Sequence, residues 1–249
     1  MEELFGHHRL QSKATKDYHL VFGENRIEIN GAGSALSYRR HTGNELTVEA
    51  MIVSDEDPVM IGIFPSAPLT TPAAVAKNLY LKFRTPVVVD QRSHVVVYAK
   101  MPIEIGVYRQ SKDEEMLIDV FSRARQQYAL YGSPESGVVC RYTETEVSTN
   151  KDEIKPVKYE EALVRIRIKN DIDNIVRVSK VIVPMDGVVL DHAHDDAWLP
   201  GSVEMDLDSP FGKDVVQVRL TGTKVKRFDE TSTKAENEET LIFLMDAGY

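Results

Sequence analysis

Apolar and polar residues alternate in short runs along most of this chain. Leu79, Leu81 and Phe83 are interleaved with Tyr80, Lys82 and Arg84. Val164, Ile166 and Ile168 share one parity, while Arg165 and Arg167 take the other. Val216, Val218 and Leu220 repeat the pattern against Gln217 and Arg219. A period of two marks a strand with one buried face, and the outward basic residues discourage edge-to-edge pairing. Further strands are predicted at 26–30, 46–53, 59–63, 87–89, 94–99, 103–108, 138–142, 175–183 and 203–207. Turn chemistry separates them: Asn30-Gly31, Asp186-Gly187, Pro200-Gly201-Ser202 and the run from Gly132 to Gly137. Many short strands at close spacing predict an all-β chain of sandwich type.

Two segments resist this reading. Met116–Gly132 fits a helix, or two strands at 116–121 and 127–131; the second is favoured. Thr71–Lys77, close to Pro65, Pro68 and Pro72, reads as a loop with one helical turn. A domain boundary at Met101-Pro102 divides the chain into β-sandwich-like units at 1–101 and 102–226. Beyond them 227–249 forms a flexible acidic tail. Arg227–Thr240 holds five carboxylates and little to bury, so it reads as a solvated linker. The apolar Leu241–Met245 that follows would dock on its own domain or serve self-association or a protein partner. Closure within the chain is entropically easier.

Composition supports the β reading. Valine and isoleucine number 44 against 33 for leucine and alanine, the reverse of the usual balance in mixed folds. The net charge of −9 and the lack of a basic cluster beyond Arg39-Arg40 argue against nucleic acid and an anionic membrane surface. No run of about 20 apolar residues exists for a transmembrane helix, so no direct membrane insertion is expected. The N-terminal residues lack a secretory pattern, and one cysteine, Cys140, fits a reducing cytoplasm.

Candidate chemistry concentrates between Asp186 and Asp214, where eight carboxylates face one lysine. If Asp191-His192-Ala193-His194-Asp195-Asp196 is extended, His192 and His194 project to one side. With a carboxylate from Asp191, Asp195, Asp196 or Glu204 they could hold a divalent transition metal for a hydrolase or oxygenase. Glu204, Asp206 and Asp208 alternate and could instead hold calcium in a carbohydrate-binding sandwich. The bland alternatives are a solvated turn and a strand's wet face. The His-x-His pattern of cupins is incomplete, because no glutamate follows it until Glu204 and no histidine follows His194. Tyr128, Tyr131, Tyr142 and Trp198 could stack on a sugar or simply fill the core. Cys140 reads as a packed thiol, and His7 and His8 as part of a disordered terminus. No phosphate loop, dinucleotide fingerprint or nucleophile elbow is legible. A non-enzymatic binding or regulatory module is therefore the leading expectation.

The stretch Tyr128–Tyr142, around Gly132-Ser133-Pro134-Glu135-Ser136-Gly137, and the run Val178-Ser179-Lys180-Val181-Ile182-Val183-Pro184 after the β-rich 162–170 carry a resemblance. Together they resemble an archaeal family catalogued as domain of unknown function four-three-two, over roughly Phe5 to Leu220. The resemblance implies no activity and no catalytic residues. Some members are associated with small mechanosensitive channels of archaeal membranes, which implies a soluble accessory role at most.

Overall fold

The structure is a computed structural model that describes residues 4–11, 18–32, 35–69, 76–112, 115–123, 126–135, 137–209, 215–225 and 240–244. It is all-β, with four sheets and a 3-10 turn at Lys151–Glu153. A four-stranded meander is local in sequence: β2 (Tyr18–Phe22), β3 (Asn25–Ala32), β4 (Ala35–Thr42) and β5 (Glu45–Val53), in that order. A second four-stranded sheet runs β11 (Tyr128–Tyr131), β12 (Val138–Thr145), β7 (Asn78–Val89), β15 (Val176–Pro184).

An eight-stranded sheet has the path β13 (Val147–Ser148), β8 (Ser93–Pro102), β14 (Glu161–Asn170), β19 (Ser202–Asp208), β20 (Val215–Thr221), β22 (Thr240–Leu244). The hairpin β17 (Asp191–Ala193) and β18 (Asp196–Trp198) joins it on β14. A six-stranded sheet has the path β10 (Glu115–Phe121), β9 (Glu104–Gln110), β6 (Val59–Ser66), β16 (Val188–Val189), β21 (Lys224–Val225), with β1 (Gly6–Leu10) also on β6.

The alternating runs bury the predicted faces. Leu79, Leu81, Val164, Ile166 and Ile168 are each at most 1% exposed. The segment 116–132 forms two strands, β10 and β11, rather than a helix. The expected boundary at Met101-Pro102 falls inside β8, and three of the sheets take strands from both sides of it. One buried cluster extends from Leu4 to Leu220. The C-terminal apolar run pairs within its own chain, as β22 lies antiparallel to β20. The solvated linker and most of Thr71–Lys77 lie outside the described residues. His7 and His8 belong to β1, because Leu4 and Phe5 are buried at 3% exposure and anchor that segment.

Strands β7 and β8 are consecutive but lie in different sheets, as do β14 and β15. Asn170, fully buried, ties both crossings. Its Nδ2 donates to the carbonyls of Val89 (3.2 Å), Asp90 (3.0 Å) and Asn174 (2.9 Å), and its Oδ1 accepts from Ile172 N–H (3.0 Å).

The meander is attached by a second buried network. Arg40 donates to Asp119 on β10 at 2.6 Å, and Tyr38 donates to the same carboxylate at 2.7 Å. Burial and the Asp119 charge push the Tyr38 hydroxyl far above its ordinary range, so it stays a donor. Arg40 also lies over the Phe121 ring, which stacks on Phe22.

Asn170→Asp keeps the side-chain shape but removes the donor and places an acceptor against three carbonyls. Each buried group left unsatisfied costs about 1–3 kcal/mol, so the expected loss is about 3 kcal/mol or more. A fall in the urea unfolding midpoint, with unchanged slope, checks this.

Candidate functional site

Strand β17 ends at Ala193. His192 pairs in register with Ala197, and His194 enters the turn with φ of 56°. The segment is therefore not extended through both histidines, and they are not presented as neighbours on one strand face. The His192 ring packs between Phe5 and Phe64, with centroids 5.6 Å from each. His194 and Asp196 are exposed, and Asp191 is half-buried opposite Trp198. Asp195 accepts the Leu4 N–H at 3.2 Å and lies 3.7 Å from Lys158 Nζ. Burial, with a hydrogen bond to Asp195, raises the pKa of the Tyr159 hydroxyl. The Tyr159 ring also meets Phe5 edge-on at 5.5 Å. The hairpin thus works as a clasp on the N-terminal segment.

Glu204 sits apart from the clasp. Ala197 lies opposite Ala162 and Glu204 opposite Arg167, five residues further along β14. That is about 16 Å at the usual strand rise. Glu204 accepts from Ser202 at 2.5 Å and lies 3.7 Å from Arg167. Asp206 bonds Arg219 at 2.5 Å. The outward basic residues of β14 and β20 therefore interleave with the carboxylates of β19. Among the described residues, no three His, Cys, Asp or Glu side chains converge in a metal-holding group.

The tyrosines divide between faces. Tyr131 and Tyr142 lie edge-on to Tyr80, at 5.9 and 5.4 Å, on the outer face of the β11–β12–β7–β15 sheet. Both rings stand nearly perpendicular to Tyr80, so the three are not coplanar. Beside them, Lys82 bonds Glu144 at 2.7 Å; that pairing raises the lysine pKa and lowers the carboxyl. Tyr128 sits on the opposite face, 5.6 Å from the buried Arg141 guanidinium. Cys140 is fully buried, and burial pushes its thiol up to about 11.

A groove of about 1030 Å³ opens at one end of the six-stranded sheet. Arg9 lies opposite Met60 on β6, and Met60 lies opposite Gln110 on β9. Met60 is the floor, and its flanking strands stand about 10 Å apart. His7 and Arg9 form one wall, Gln110 and Lys112 the other. Glu56 and Asp57, from the turn before β6, close the end. His7 and Gln110 are joined by a hydrogen bond of 2.5 Å. Sequence reading misses this site because its walls come from three segments without a shared motif, and His7 and His8 read in sequence as a disordered terminus.

Asp195→Ala should remove the clasp's acceptor and cost about 1–3 kcal/mol. Hydrogen exchange at Leu4 and its neighbours should accelerate more than exchange in β14. The Cys140 thiol should resist alkylation in the folded protein at neutral pH and react once it is unfolded. Its folded pKa lies above the unfolded value, so the stability it contributes is present below about pH 8.5 and is lost as pH rises toward 11. A Cys140→Ala variant should show a smaller alkaline loss of melting temperature over that window.

No helix among the described residues is long and apolar enough to cross a membrane. No curated protein and no solved structure matches the chain. Residues 4–245 match the model of the family described as "Protein of unknown function (DUF432)", and the chain belongs to that family.

Proposed function

We propose that the protein is a non-enzymatic binding module acting in the cytoplasm, with its ligand seated in the groove over Met60. The observation that carries this reading is the groove itself. Its volume of about 1030 Å³ is just above the usual range of about 300–1,000 Å³ for small-ligand sites. Its walls divide the charges, with His7, Arg9 and Lys112 along the sides and Glu56 and Asp57 at the end. Met60 and Pro58 supply apolar surface between them. That arrangement suits a small zwitterion with an apolar body, such as a dipeptide. A carboxylate would face Arg9, an ammonium group would face Asp57, and the side chains would lie on Met60. The unpaired Cys140 supports a reducing compartment.

Calorimetric titration with a panel of dipeptides tests this. At least one member with an apolar side chain should bind, and Arg9→Ala should weaken it 10-fold or more. That corresponds to about 1.4 kcal/mol or more, within the range for a hydrogen bond to a charged group. Failure of the whole panel, or binding indifferent to both Arg9→Ala and Asp57→Asn, would overturn the reading.

A further inference from the structure

A chain of polar side chains spans the groove at the end away from Glu56 and Asp57. Arg9, Met60, Gln110 and Glu115 stand in one row across β1, β6, β9 and β10. His7 and Gly62 stand in the next row. Gly62 places no side chain between the walls, and Gln110 takes that space. A methyl group there would press on the Phe64 ring and lie 3.1 Å from Cδ of Gln110. The amide reaches over β6 to His7 Nδ1 at 2.5 Å, and its nitrogen donates to Glu115 Oε1 at 3.1 Å.

This chain fixes where the protons are. A carboxylate only accepts, so the Gln110 amide turns its NH2 to Glu115 and its oxygen to His7. An amide oxygen also only accepts, so His7 Nδ1 carries the proton. In the neutral imidazole the other nitrogen, Nε2, is then an acceptor. It has no hydrogen-bond partner among the described residues. The ring is exposed and lines the groove, and Phe64 meets it edge-on at 5.2 Å.

We infer that His7 Nε2 accepts a hydrogen bond from the bound ligand, with Gln110 and Glu115 as positioning residues that impose its tautomer. The inference rests on the dipeptide reading of the groove and narrows it. His7 and Arg9 project from the same side of β1, about 7 Å apart at the usual strand rise. In a dipeptide the peptide N–H adjoins the carbon that bears the carboxylate. With the carboxylate on Arg9, that N–H comes to the neighbouring His7. The ligand class is therefore dipeptides with a free peptide N–H, and those ending in proline, which has none, are rejected.

Two measurements on the full chain test this. The first is the imidazole 15N spectrum at alkaline pH, where histidine is neutral. The chain has seven histidines, and the signal lost in His7→Ala identifies His7. The wild type should show the Nδ1–H tautomer. Glu115→Lys presents a donor to Gln110, so the amide should turn over and the proton should move to Nε2. The second is calorimetry with leucyl-alanine and its analogue in which an ester oxygen replaces the peptide N–H. The wild type should bind the amide about 5-fold tighter or more, the ratio that one net hydrogen bond supplies. His7→Ala and Glu115→Lys should each abolish the difference. His7 and Glu115 are exposed, so both variants fold, and unchanged melting temperatures confirm it. An Nε2–H tautomer in the wild type overturns the inference, as does a tautomer indifferent to Glu115→Lys. Equal binding of amide and ester also overturns it, while leaving the groove as a dipeptide site. No binding of leucyl-alanine or any other dipeptide overturns both.

Discussion

The two central sheets depend on one buried amide. Asn170 is fully enclosed, yet it bonds three carbonyl oxygens and one N–H in the two turns where the chain leaves one sheet for the other. Chain reversals bury backbone groups that no ladder satisfies, and a buried unsatisfied group is costly. A single side chain with both donors and an acceptor resolves both turns together. No apolar residue could do this, and a carboxylate would oppose the carbonyls. β7 and β15 thereby continue as partners in one sheet, and β8 and β14 in the other. The strong alternation of Leu79–Phe83 and Val164–Ile168 then has a common interior to fill.

Everything else is fastened to that pair by polar contacts that are themselves shielded. The meander is held through Arg40, Tyr38 and Asp119, capped by the Phe22–Phe121 stack. The N-terminal segment is held by Asp195 and by Phe5 between Tyr159 and His192. A buried ion pair is weak evidence for net stability, because desolvation offsets its attraction. Its effect here is positional. Asp119 satisfies Arg40 and Tyr38 at short range and so selects how the meander sits against β10.

Strand identity was legible where one face is buried and the other is wet, as in β7, β14 and β20, because burial imposes the period of two. It failed at β4, where Tyr38 and Arg40 alternate inward with Arg39 and His41 outward. Arg40 reads as solvent-facing in sequence, and only the distant Asp119 makes it an interior residue. β1 was hidden for a similar reason, since its histidines look like a tail until Leu4 and Phe5 are seen to be buried. The single core shared across Met101-Pro102 was illegible too. It rests on pairings such as β6 with β9 and β7 with β12, which local pattern does not encode.

The same distinction governs the candidate sites. A motif of chemically active residues is conspicuous in one dimension whether or not its members meet in three. Asp191–Asp196 and the Glu204 series stood out, yet each is answered by neighbours from elsewhere in the chain: Leu4, Lys158 and Tyr159, outside the strands, for Asp195, and Arg167 on β14 for Glu204 and Arg219 on β20 for Asp206. Their density follows from neutralising charges that strand pairing brings close. The groove shows the converse. Arg9, Met60, Gln110 and Asp57 carry no spacing signal, but two adjacent ladders on β6 align the first three in one row across the sheet. In a sheet protein, register builds a site from residues that sequence leaves unrelated, so a recessed surface with unlike charges on its walls is a better guide to binding than a local cluster.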